Sequence, residues 1–328
     1  MKNDLTSLLA GAYGCHAAYD GACGRTHFFK DENRRYAVKN TSFTLVEKQS
    51  FQKRVRQLQR HRIHAAVIPE SGRNHEWLHF AAAPDRYVYV MPVVGDSRQA
   101  QPDAALDMLG RFHRYTMRQN ALSEGAITRY ESERKAAVAA YNQKLEKLLY
   151  EEERQHYIRP SGYVFLTNHP LLQAMMKRGR DAFQSWLSYL QSRGYQRRGW
   201  IHGYYEPDHI LVDHKNVARL INWEKSRYGH PLEDLTSYLR RMAESPEAVT
   251  AEGAGWLGAY EQRFELLREE KELLRAMVLS PTPAVAEAER LLRNPRIEEH
   301  ERTKALELLF LRCQRRMQWI DHALPEMY

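Results

Sequence analysis

Residues Trp200 to Asp213 read WIHGYYEPDHILVD. The stretch ends in a short aliphatic run, HILVD, and a second run, VARLINWE, starts at Val217. HKN stands between them, so the pair predicts two short strands around a tight turn. The first half differs, with Gly203 and Pro207 shaping turns between side chains able to do chemistry. Glu206 and Asp208 are carboxylates that a cleft could recruit, as are Asp213 and Glu224 further on, although capping or solvation accounts for all four. His202, His209 and His214 could be imagined around zinc, but no Cys or spaced His pair supports such a site.

On the C-terminal side the chain turns helical from Pro231, ending in ERTKALELLFLRCQRRMQWIDHAL. There Leu306, Leu309, Phe310, Cys313, Met317 and Ile320 form an apolar face read as core packing. On the N-terminal side, NHPLLQAMMKRGRDAFQSWLSYLQSRG predicts a helix capped by Asn168 and closed at Gly194. ESERKAAVAAYNQKLEKLLYEEERQHY predicts a long charged one, and PDAALDMLGRFHRYTMRQ places Ala105, Leu106, Leu109, Phe112 and Tyr115 on one face. Before Gly95 the pattern is strand-like: THFFKDENRRYAVKN turns at KDEN, and DRYVYVMPVV is rich in β-branched and aromatic residues. One helix interrupts it, with Val46, Phe51, Val55 and Leu58 at helical spacing.

These signals predict an α+β chain of two lobes, a small, mostly antiparallel β lobe with one helix at 1–95 and a larger helical lobe at 96–328. The second lobe carries the loop 200–213 and the strand 217–224. The 328 residues, 43% hydrophobic and 27% charged, suit a globular protein, and no apolar run is long enough to span a bilayer. The opening residues do not read as a secretory signal, and Cys15, Cys23 and Cys313 show neither C-x-x-C spacing nor an even count. A soluble protein of a reducing, cytoplasmic compartment is expected. The net charge of +8 comes from Arg and Lys interleaved with Asp and Glu, so nucleic acid is not the expected partner.

IHGYYEPDHILVDHKNVARLINWEKSRYGHPLEDLTSYLRR resembles the pattern HGDxxxxN(I/L)LV … IDWExxxxGxPxxDLxxxLR of the aminoglycoside phosphotransferase and choline kinase-like superfamily. The order along the chain agrees, with strands and a lysine first, then LGRFHRYT, the loop, the metal strand and the Asp-Leu helix. The resemblance implies a bilobal protein-kinase-like fold in which the Lys39 of YAVKN holds nucleotide phosphates, paired to Glu47 or to Gln49 or Gln52 on the next helix. No G-x-G-x-x-G precedes that lysine. His202 and Asp234 match positions that hold the scaffold.

The reactive positions depart from the pattern. Tyr204 stands at the catalytic Asp, His209 at the metal-binding Asn and Asn222 at the Asp that grips Mg. A phenol is a poor acceptor for a substrate hydroxyl proton at neutral pH. An amide and an imidazole in place of hard oxygen ligands weaken a Mg site. At about 3 kcal/mol for each lost transition-state contact, three such changes leave ordinary turnover negligible. The implied cofactor is none or weakly held ATP, with no firm Mg site.

INWEKSRYGHPLEDLTSYLRRMAE is most similar to the spore coat protein S-type members, and the loop to those called YsxE-like. That resemblance implies a degenerate, pseudokinase-type protein in the mother cell or spore coat of a sporulating bacterium, with spore coat proteins as partners. The competing expectation is an active ATP-dependent phosphotransferase on a small hydroxylated or amino substrate, with Glu206 or Asp208 as base. A basic scaffold for nucleic acid or an anionic polymer is the weakest.

Overall fold

The computed structural model describes residues 2–32, 34–60, 65–80, 86–94 and 98–325. The lobe boundary expected at 95/96, and Asn33 of the expected KDEN turn, lie outside them. By contacts the chain forms two compact units, residues 1–108 with 200–228, and residues 109–199 with 229–328.

The first unit is built on a five-stranded antiparallel sheet in the order β1-β2-β3-β5-β4. Its strands are β1 (Ala18–Cys23), β2 (Thr26–Lys30), β3 (Arg35–Ser42), β4 (His79–Phe80) and β5 (Arg86–Pro92). Alternation along the strands gives the sheet two different faces. Phe29, Tyr36, Val38, Val88 and Val90 point to one, where they bury Leu5 and Leu9. These two come from α1 (Lys2–Leu8) and the π-helical turn Leu9–Tyr13, an N-terminal element not anticipated from the sequence. Tyr87 and Tyr89 point to the other face, against α2 (Leu45–Arg60), where the Phe51 and Tyr89 rings are 5.4 Å apart. Val46, expected on the packed stripe of α2, is exposed in its first turn.

The second unit is helical, and an α+β chain with a small antiparallel sheet and a larger helical part is the class expected. α3 (Pro102–Thr116) leads into it, and its Tyr115 is 74% exposed rather than packed with Leu109 and Phe112. A ribbon of β6 (Arg118–Ala121) and β7 (Tyr195–Ile201) brackets α4 (Ala126–Glu153) and α5 (Pro160–Arg193). The core joins Leu145 and Leu148 of α4 with Phe165, Leu172 and Met175 of α5. Leu306, Phe310 and Cys313 of the last helix complete it, as the apolar stripe predicts.

α5 corrects one boundary. It starts at Pro160 and runs straight through Asn168, so Asn168 is no N-cap; its Nδ2 donates to the Val164 carbonyl at 2.9 Å. Proline at the first helical position starts a helix readily, whereas Pro170 inside it removes the donor for the Leu166 carbonyl. His169 Nδ1 lies 2.8 Å from that carbonyl and satisfies it. The helix does close at Gly194, which takes a left-handed φ of 73°.

Candidate active site

The site residues of the first unit gather around a small hairpin, β8 (Ile210–Val212) and β9 (Ala218–Leu220), paired antiparallel as expected. Asp213 makes its turn. One carboxylate oxygen accepts from the backbone N–H groups of Lys215 and Val217 at 2.8 and 2.9 Å, and the other from Arg219 Nε at 2.8 Å. The hydrogen bond from Val217 leads in holding the Asp213 carboxyl down at about 2. Backbone bonds tie the hairpin to residues 65–67 on one edge and 98–100 on the other.

The loop before the hairpin is fixed by Gly203 and His202. Gly203 has a φ of 80°, and a Cβ there would stand 2.2 Å from the Lys225 carbonyl oxygen, so both conformation and space demand glycine. His202 is fully buried, its Nε2 2.8 Å from the Ile221 carbonyl and its ring edge-on to Trp223. Tyr205 is buried as well and donates to the Ala105 carbonyl at 2.6 Å. Tyr204, expected at the position of the catalytic Asp, is half exposed and packs edge-to-face on His209. His209 Nδ1 lies 2.9 Å from the Tyr204 carbonyl, which directs that ring nitrogen to a local bond. Asp208 accepts from Gln99 Nε2 at 2.5 Å.

Lys39 reaches this hairpin from the sheet. β3 and β5 pair in a register that sets Lys39 opposite Tyr89 on the α2 face, and both side chains meet Glu224. Lys39 Nζ is 2.6 Å from Glu224 Oε1 and 2.7 Å from Asn222 Oδ1, and the Tyr89 hydroxyl donates to the same Glu224 oxygen. Arg54 of α2 donates to the Glu224 backbone carbonyl at 3.1 Å. Burial alone would raise the Glu224 carboxyl; the Lys39 charge, with the bonds from Lys39 and Tyr89, brings it below the ordinary value. Burial, followed by the Glu224 charge, pushes the Tyr89 phenol well above its usual value.

Glu47, the partner expected for Lys39, lies elsewhere. It caps its own helix, accepting from Thr44 N at 2.9 Å and Thr44 Oγ1 at 3.0 Å, and these bonds lower its pKa. Asn222 owes its position to a left-handed φ of 65°, which Asn tolerates better than most residues, and it opens the 3₁₀ turn Trp223–Lys225. Asp234 belongs to the second unit. It is buried in the first turn of α6 (Pro231–Met242), with His113 Nε2 at 3.4 Å, and His113 Nδ1 stands 2.8 Å from the Tyr260 hydroxyl.

The two residues expected at the Mg ligands do not offer the donors Mg prefers: the Asn222 amide oxygen accepts from Lys39, and His209 offers nitrogen. What the arrangement does hold is a lysine ammonium between a carboxylate and an amide on an interior sheet face.

Residues 17–276, most of the chain, match the phosphotransferase enzyme family. The chain belongs to that family. No curated protein sequence matches it. Among solved structures this family member is similar to an aminoglycoside phosphotransferase from Alicyclobacillus acidocaldarius, at 16% identity and a TM-score of 0.71 over 92% of this chain and 90% of the other. A microcompartment-associated aminopropanol kinase gives 14% identity and 0.58 over 98% of each chain. A spectinomycin phosphotransferase bound to AMP gives 13% and 0.57 over 94% of this chain and 98% of the other. Identities this low establish the fold, the bilobal protein-kinase-like one.

Proposed function

We propose that this phosphotransferase-family chain is a catalytically degenerate member that works by binding partner proteins rather than by transferring phosphate. The observation that carries the reading is the amide of Asn222. It stands where the resemblance implies the carboxylate that grips Mg, and it accepts from Lys39, whose charge partner is Glu224. A Lys–Glu pair is compatible with holding phosphates, so the weight falls on the amide: a triphosphate arriving there meets Asn222 and not a carboxylate at the expected Mg position. The loop adds a phenol where a base is needed, and Tyr204 faces solvent beside His209.

The choice of partners rests on the resemblance of residues 221–244 to spore coat protein S-type proteins. On that reading the chain acts in the mother cell or the coat layers, against spore coat proteins. The competing reading is an active enzyme with Glu206 or Asp208 as base. It draws on the neighbours, which are described as transferring phosphate to aminoglycosides, spectinomycin and aminopropanol. Against it, Asp208 is already bonded to Gln99.

Thermal unfolding with ATP and ADP, each with and without Mg, separates the two. A ligand at about 100 times its Kd adds about 2.7 kcal/mol and moves the midpoint by several degrees. The expected result is no Mg-dependent shift for the natural chain. A Mg-dependent shift should appear in the triple variant Tyr204→Asp, His209→Asn, Asn222→Asp. A Mg-dependent shift in the natural chain, together with ATP consumption abolished by Lys39→Ala, would establish the active transferase instead.

A further inference from the structure

The helical unit carries a concavity of its own. A cavity of about 410 Å³ opens along the groove between α4 and α5. Phe183 and Leu187 of α5 give it an apolar wall, and Arg134, Lys135 and Arg180 put three cations on its lining against the single carboxylate of Glu131.

Arg134 sets this groove apart. Its guanidinium lies over the Phe183 ring, 5.2 Å from the centroid, and its Nε and Nη2 are buried with no hydrogen-bond partner. Burial lowers its pKa, and no neighbouring charge acts against that. Elsewhere in the same unit, arginines drawn out of water meet carboxylates: Arg197 with Glu270, Arg302 with Glu299, Arg316 with Glu244. A desolvated guanidinium without a counter-charge is costly to hold. Nε and Nη2 are the side-on edge of the fork, the one that grips a carboxylate or phosphate by two parallel bonds.

We propose that the α4–α5 groove binds a small amphiphilic anion, its carboxylate or phosphate head taken by Arg134 and its apolar body laid on Phe183 and Leu187. Lys135 adds attraction from the lining, while Arg180 also has Asp181 at 3.6 Å. The head group supplies the counter-charge that the fold omits, and draws the guanidinium off the Phe183 ring so that its fork faces the groove. The volume suits a ligand of this kind, within the range of small-molecule sites.

The test is calorimetric titration of the full chain with decanoate and decyl phosphate below their micellar concentrations, with decan-1-ol and decyltrimethylammonium as neutral and cationic controls. The expected result is saturable binding of at least one anion, with decanol at least about tenfold weaker and the cation silent. Arg134→Met keeps the stem over Phe183 and removes the charge. It should weaken the anion at least about tenfold while the unliganded unfolding midpoint stays or rises. Ala139→Trp, which fills the groove without touching Arg134 chemically, should abolish binding. A preference between the two anions identifies the head group. Equal affinity for decanol, undiminished affinity in Arg134→Met, or no binding of either anion at about 1 mM would overturn the proposal.

Discussion

At Asn222 a neutral amide stands where the resemblance leads one to expect a carboxylate, and the lysine it touches takes its charge partner from Glu224. The two partners stand 183 and 185 positions along from Lys39, so no local reading could choose them over nearby Glu47. The pair is mostly buried, and its side chains keep 18% and 13% of their exposure. Removing either member leaves the other charge uncompensated. Lys39→Met should therefore cost about 3 kcal/mol and Glu224→Gln about 2 kcal/mol, with the double variant well short of the sum. Urea unfolding of the four proteins measures this. A coupling energy near zero would mean that Asn222, Tyr89 and Arg54 suffice without the ion pair.

At the scale of elements, most helices and strands were legible because periodicity and breakers agree. The hairpin at 210–220, the Gly194 stop and the apolar stripe of the last helix all follow from local chemistry. α5 starts earlier than the capping residue Asn168 indicates, because packing against Leu306 and Phe310 rewards a longer helix and His169 repairs the defect at Pro170. α6 carries a pH prediction. His230 is its N-cap, accepting from Leu232 N through Nδ1 while Glu233 returns a bond to the His230 N–H. Burial pushes its imidazole down to about 4, and an imidazolium could not accept that bond. An unfolded His takes its proton near 6.5, so between 6.5 and 4 the unfolded chain binds a proton that the folded chain refuses. Stability should fall as pH drops through that window, by up to about 1.4 kcal/mol per unit, and this contribution is spent below 4. His230→Asn keeps a capping side chain that does not titrate. Its urea midpoint should vary less between pH 7 and 4.5 than that of the natural chain, and equal slopes would refute the assignment.

For the whole molecule, the net charge of +8 is the property most open to misreading. Many arginines are committed to carboxylates, among them Arg35 to Asp20, Arg219 to Asp213 and Arg293 to Glu151 and Glu289. Among the described residues no helix is long and apolar enough to cross a membrane. Duplex DNA at 150 mM salt should bind no more tightly than a Kd of about 10⁻⁵ M, and a tighter complex with a steep salt slope would reveal a phosphate-tracking surface.

The sequence by itself determined the class, most of the elements in their order and, through its resemblance, the family, because these rest on short segments: the turn at HKN, the glycine at 203, the Asp-Leu helix. Only the tertiary structure decided which side chains meet. Antiparallel register set Lys39 beside Tyr89, the left-handed turn at Asn222 aimed its amide at the same lysine, and α2 kept Glu47 for its own cap. Such contacts join residues far apart in the chain, and their energies depend on burial and distance, quantities that a linear sequence does not carry.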